Sequence, residues 1–423
     1  MIAWFPAFVE LAEAFLSEMP DLTESEFKLL CAVTCGQAAY CGPSFDDFDS
    51  GNDPIYSDAW EPARSVRANL IPILCVDPAA AARVAPGGIV IHAARIEGDL
   101  DLKSVIVTFP LVLLKCRISR CVNLSLAQIE VLVLSGSVIS GIVADHISVR
   151  SSVALDSGFR TEGEVRLAGG SIGGTLNCSG GRFSTVDTKR ALQAQMPYGP
   201  VLVANGLRVS GSISLSDGFC AEGIVVLAGA EVGRSLECDD SHFMNPGGRA
   251  LFADGLKVIG GVFFRRAKIA GEVRLLGAKI AELQCTRARF ANLGCYTLNA
   301  DGINIEGAAQ LNDGFYQGEV SFVGAAIAGT LGCVRSRFFN PDRKSLNCDH
   351  IRVGASVLLR GSTALGQVRL MDGKIGGSLE CQRGNFLNEK GHAIEACRIN
   401  VAGDGFLLTD SKRLASYICE VQK

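Results

Sequence analysis

Gly271-Glu-Val-Arg-Leu275-Leu-Gly-Ala-Lys-Ile280-Ala-Glu-Leu-Gln-Cys285-Thr-Arg-Ala-Arg-Phe290 places large apolar residues at Leu275, Ile280, Cys285 and Phe290, five residues apart. Two residues before each stands a second apolar or small residue: Val273, Ala278, Leu283 and Ala288. A pair at i−2 and i on one face requires extended backbone, because side chains on a strand alternate with period two. A five-residue step then requires a corner after every pair. No 3.6-residue period fits. The register runs back through Leu155, Val149, Ala144, Ile139, Leu134 and Ile129 to Ile91, and forward to Val401 and Leu407.

A longer period is laid over the short one. Gly163-Glu-Val-Arg-Leu167 recurs at Gly223, Gly271, Gly318 and Gly366, at intervals of 60, 48, 47 and 48 residues. Each copy precedes a Leu-x-Cys step ending at Cys178, Cys238, Cys285, Cys333 or Cys381, and then a Phe at 183, 243, 290, 338 or 386. The first interval holds an insertion near 184–202, rich in turn formers and bearing Tyr198. Folding the steps four to a turn aligns Val258, Ile280, Ile305, Ile327, Val353, Ile375 and Val401 in one column. A second column holds Ile269, Phe290, Phe315, Phe338, Ala364 and Phe386; a third holds Phe264, Cys285, Gln310, Cys333, Leu359 and Cys381, with Gln310 its oddity. The repeat unit is then two turns, the second with a longer loop after Phe, as at Asn245-Pro-Gly-Gly248. Three shorter turns per unit is the competing count.

The expected fold is mainly β: a parallel β-helix over 87–408, an acidic α-helical N-terminal domain over 1–86 and a C-terminal capping helix over 409–423. Gly277-Ala-Lys-Ile280, Arg287-Ala-Arg-Phe290 and Ala291-Asn-Leu293 resemble the steps of pentapeptide-repeat proteins, and that resemblance implies a right-handed, four-sided coil. Many steps have six residues and bulky Val or Leu at i−2, so the likeness is degenerate. The Gly-Glu-Val-Arg-Leu and Leu-x-Cys phrases also look like those of a group of large bacterial repeat proteins, some labelled oxidoreductase; nothing in these residues supports that label.

Exposed edges of stacked strands invite further pairing, so lids are expected at both ends. Thr23-Glu-Ser-Glu26 has capping-box spacing ahead of Phe27, Leu29, Leu30 and Val33. A second helix is expected over Pro62–Cys75, and Asp410 or Ser411 as cap of the last. Residues 1–86 carry 13 acidic and 4 basic residues, whereas the rest carry 31 and 36. The start lacks a basic leader region, Glu10, Glu13 and Glu18 interrupt it, and no apolar run reaches the roughly 20 residues of a membrane crossing. A cytoplasmic location follows as the expectation, with the 16 cysteines reduced.

Chemistry-bearing motifs are scarce. The Leu-x-Cys thiols read as small core residues. Cys31, Cys35 and Cys41 lack metal-ligand spacing, as do the five histidines. Asp47, Asp49 and Gly51 miss the calcium-loop spacing. Glu164, Glu272 and Glu319 recur with the repeat, which suits solvation better than a single acid–base pair. No nucleotide, esterase or zinc-protease motif is present, so neither cofactor nor metal is expected. Arginine is the suggestive class. Arg166, Arg274 and Arg369 recur in one step; Arg182, Arg289 and Arg337 precede the Phe of another, beside Arg287 and Arg335. Equal positions stack into stripes along a coil. The leading expectation is a non-catalytic interaction or scaffold module that binds a protein through Arg287, Arg289, Arg335, Arg337, Arg182 and Tyr198. Weak nucleic-acid binding, or modulation of a DNA-acting enzyme, is the alternative, and a carbohydrate-active enzyme comes third.

Overall fold

The computed structural model describes residues 21–46, 49–185, 198–403 and 405–406. The expected capping helix at 409–423 and residues 186–197 of the insertion lie outside these. The chain forms two compact units, Met1–Val186 with Val201–Gly211, and Asp187–Pro200 with Ser212–Lys423. The strands of each unit pair in parallel, and both units are β-solenoids.

In the first unit, strands Gln128–Ile129, Leu132–Val133, Val138–Ile139 and Ile142–Val143 follow one another before Ser148–Val149 returns to pair with Gln128–Ile129. One turn therefore contains four two-residue strands, two in each of two sheets. Turn length varies from 20 residues, Gln128 to Ser148, to 26, Ala326 to Arg352 in the second unit, and reaches 37 across the insertion, Ser171 to Arg208. The strands are this short because a corner interrupts every apolar pair. Ala127 N–H donates to Leu124 C=O at 3.1 Å, and Leu126 takes φ +60°, the left-handed position of a type II turn.

The N-terminal segment adds to this unit. Helix α1 (Glu24–Cys35) starts on the expected capping box: Glu26 N–H donates to the Thr23 hydroxyl at 3.1 Å, and Thr23 N–H to the Glu26 carboxylate at 2.9 Å. Leu29, Leu30 and Val33 are buried, while Phe27 stays 47% exposed. The expected helix over 62–75 is divided. Pro62–Arg64 is a single 3-10 turn, Ser65–Arg67 is a strand, and only Leu70–Val76 is helical (α2). Pro72 is tolerated because it lies in the first turn, where its missing N–H has no partner to lose. Ala39–Tyr40 pairs with Ile91–His92 and Ser65–Arg67 with Arg95–Glu97, so one strand is added to each sheet at the start of the coil. Glu26, with no exposed surface, accepts from Arg67 N–H, Nε and Nη2 at 2.7–2.9 Å. Burial pushes its carboxyl up, but the Arg67 and Thr23 hydrogen bonds outweigh this and hold it below the usual range.

The second unit keeps the same plan. The column from Val258 to Val401 forms as expected, rung by rung. Two neighbouring columns are corrected by one residue. Tyr316, not Phe315, stacks between Phe290 and Phe338, with ring centroids 5.3 Å from each, and Phe315 points outward. Leu311, not Gln310, is the buried residue; Gln310 lies outside and accepts from Asn312 Nδ2 at 2.7 Å. The step from Ile305 has six residues, and with a side-chain period of two, a one-residue slip exchanges inside for outside. The Tyr316 hydroxyl donates inside the core to the carbonyls of Leu311 and Cys285, at 3.2 and 3.3 Å.

The 48-residue period also has a structural cause. Asn245, Asn292 and Asn340 lie two residues after the Phe of successive units, and each side-chain amide donates to the carbonyl four residues on, at 2.6–2.7 Å. That bond closes a small excursion from the ladder. The Leu-x-Cys thiols are buried and unpaired. Burial pushes Cys333 and Cys381 up to about 12, and Cys178, Cys238 and Cys285 upward as well.

Candidate interaction surface

The two arginine stripes expected from the sequence differ in their surroundings. Arg166, Arg274 and Arg369 each meet an aspartate of the preceding turn: Asp145 at 3.0 Å, Asp254 at 2.8 Å and Asp349 at 2.9 Å. The aspartates also accept main-chain N–H groups, Asp349 from Met371 at 3.0 Å and Asp254 from Leu276 at 3.3 Å. These arginines join turn to turn, and their charge is cancelled locally.

A second group sits at left-handed corners. Asp240, Arg266, Arg287, Asp313 and Arg335 all have φ between +53° and +59°. Arg266 pairs bidentately with Asp240, and Arg335 with Asp313 at 2.7 and 2.8 Å. The Arg335 hydrogen bonds hold Asp313 below the usual carboxylate range. Arg335, expected on the binding surface, is thus already engaged. Arg287 has no ion-pair partner among the described residues, although its conformation costs a non-glycine residue roughly 1–2 kcal/mol.

Arg289 and Arg337 stand outward on the strand after that corner. The ladder aligns Lys268, Arg289, Phe315, Arg337 and Thr363 on successive turns. Lys268, Arg289 and Arg337 are exposed and have no ion-pair partner among the described residues. The acids of this edge are consumed elsewhere: Asp239 by Arg265, Asp240 by Arg266, Asp313 by Arg335 and Glu380 by Arg360. Arg287, Arg289, Arg337 and Lys268 therefore form a cationic edge without contact ion pairs among the described residues, although Arg287 also acts through its charge on Asp313 of the next turn. Lys268 was missed in the sequence because it precedes Ile269 rather than Phe.

Two residues further along each strand runs a second outward row. It consists of Met244, Ala270, Ala291, Gln317, Phe339, Leu365 and Leu387. Met244 and Leu387 are each 43% exposed, and Phe339 and Leu365 are half-buried. This row, apolar except for Gln317, was not anticipated, because no single position in it looks unusual for a strand.

Arg182 lies in the first unit, opposite Arg160 on the ladder. Tyr198 is buried at 7% exposure and pinned through its main chain: its N–H donates to Asn245 Oδ1 at 2.6 Å, and Asn245 Nδ2 donates to its carbonyl at 3.2 Å. It lies at the return end of the insertion, with its side chain largely buried rather than standing out as expected.

The recurring glutamates are less solvated than expected. Glu272 and Glu319 are half-buried, and burial raises both carboxyls above the usual range against the opposing pull of Arg249 on one and Asn347 on the other. Glu319 accepts from Asn347 Nδ2 at 3.2 Å. In the N-terminal segment, Asp49 accepts from Gly51 N–H at 2.8 Å as a turn cap, and Asp47 lies outside the described residues. Phe27, Cys31, Tyr40 and Phe45 line a groove of about 870 Å³ there. Among the described residues no cluster of three His, Cys, Asp or Glu has metal-holding geometry, and no helix is long and apolar enough to cross a membrane. No known protein family matches the chain, and none of the curated proteins does.

Proposed function

We propose that the protein is a non-catalytic interaction module whose binding surface is the cationic edge formed by Arg287, Arg289 and Arg337 with Lys268. The observation that carries this reading is local charge accounting. Most cationic groups around that edge make a contact ion pair with a carboxylate on a neighbouring turn, and these four make none among the described residues. Uncompensated surface charge raises the encounter rate with a partner of opposite sign and selects against one of like sign. We also read the four strands of each turn as four faces wound right-handed, as a parallel connection between strands favours, and the protein as a cytoplasmic one.

The test compares affinity purification of the tagged native chain with that of an Arg287→Ala/Arg289→Ala/Arg337→Ala variant from the same cells. The native protein should retain a partner that the variant loses, in a salt-sensitive manner. A partner retained equally by both would refute the reading. Nucleic-acid binding is the second reading, favoured by the same cationic edge. It predicts a duplex affinity that falls steeply with salt as counterions are released.

A further inference from the structure

The cationic edge and the apolar row lie on the same strands, two residues apart, so they run side by side about 7 Å apart. Both advance by one ladder rung, about 4.8 Å, per turn. We infer that this face takes an amphipathic α-helix with an acidic flank, laid along the rungs. The inference rests on the interaction-surface reading above and names the kind of partner.

The pitch of an α-helix, 5.4 Å, is close to the rung spacing, so each helical turn meets roughly one turn of the coil. Residues at i, i+3, i+4 and i+7 of such a helix form one apolar stripe. That stripe would lie on Ala270, Ala291, Phe339, Leu365 and Leu387, where the two alanines leave room for larger side chains from the partner. Carboxylates on one flank of the helix would reach Lys268, Arg289 and Arg337. From Met244 to Leu387 the row spans six rungs, about 29 Å. At 1.5 Å per residue this matches a helix of about 19 residues. A phosphate backbone would use the cations and leave the apolar row in water. Helix-in-groove recognition uses both rows, with apolar anchors at helical spacing.

The probe is a synthetic helix of about 19 residues with leucine at i, i+3, i+4 and i+7 and glutamate on one flank. Its controls are a scrambled peptide of the same composition, a DNA duplex and phosphatidylserine vesicles. The full chain should bind the amphipathic peptide, and the peptide should gain helical circular dichroism on binding. Phe339→Ser/Leu365→Ser and Arg289→Ala/Arg337→Ala should each weaken binding by about tenfold or more. All four side chains point outward, and unchanged circular dichroism would verify that each variant folds. Equal binding of the scrambled peptide, tighter binding of duplex or vesicles, or indifference to Phe339→Ser/Leu365→Ser would overturn the inference. If the arginine variant alone mattered, the cationic-edge reading would stand and the helix would fall. If neither variant mattered, both would fall.

Discussion

The Gly-Glu-Val-Arg-Leu step and the Arg-x-Arg-Phe step both repeat an arginine along the coil, yet their arginines do different work. In the first, Arg274 and Arg369 sit within 3 Å of Asp254 and Asp349 on the turn below. In the second, Arg289 and Arg337 face Phe315 across the ladder and have no carboxylate partner among the described residues. Repetition is common to both and so does not distinguish structure from function. The acid on the adjacent turn separates them: where it exists, the arginine ties turn to turn, and where it is missing among the described residues the proposed binding surface is found.

The sharpest way to test that contrast is to remove an acid from the first step. Asp349→Ala deprives Arg369 Nε and Met371 N–H of their acceptor. It should cost about 1–3 kcal/mol in urea unfolding, whereas Arg289→Ala should stay within about 0.5 kcal/mol. Equal losses would erase the distinction. A smaller effect comes from building the missing acid. Phe315→Asp places a carboxylate opposite both Arg289 and Arg337, and it should weaken partner binding about as far as the arginine-to-alanine changes do, by about tenfold. Binding unaltered by it would show that uncompensated charge is not what the partner reads.

The reverse change is milder. Asp313→Asn releases Arg335 to the surface, and partner binding should strengthen by about two- to threefold at low salt, with stability altered by less than about 1 kcal/mol. The smallest effect is the pH response of the two carboxylate classes. Asp313 is depressed by Arg335, so its contribution to stability is present above the unfolded value, 3.8, and is lost as pH falls through the lower folded value. Glu319 is raised by burial, so the penalty for its charge is full at neutral pH and disappears as pH falls below the unfolded value, 4.5. Glu319→Gln should therefore raise the melting temperature slightly at pH 7, with the gain vanishing on acidification. Asp313→Asn should show no such gain at pH 7. Melting curves across pH would check both signs.

The coil was legible in the sequence because its information is local. A pair of apolar residues at i−2 and i followed by a corner, repeated every five or six residues, requires a coil of short strands, and the burial of the Leu-x-Cys thiols follows from it; the Thr23–Glu26 cap was legible from its own four-residue spacing. Where the reading slipped, the error was a single residue. The six-residue step after Ile305 left Phe315 and Gln310 assigned to the interior that Tyr316 and Leu311 occupy, because a five-residue count there slips the register by one and exchanges inside for outside. The division of 62–75 into turn, strand and short helix was likewise hidden, since Ser65–Arg67 is a strand only because Arg95–Glu97 stands beside it.

The sequence by itself determined the parallel coil, its repeat, its buried thiols and the presence of arginine stripes, since each depends on spacing along the chain. Tertiary structure alone decided which arginines lack an ion-pair partner among the described residues, that Tyr198 is buried, and that a largely apolar row runs beside the cationic one. Those properties depend on residues 20 or more positions away, and 47 for Tyr198 and Asn245, brought within a few ångströms by turns whose length varies from step to step. A contact ion pair needs its charged groups within about 4 Å, so a one-residue uncertainty in that length is enough to make or break it.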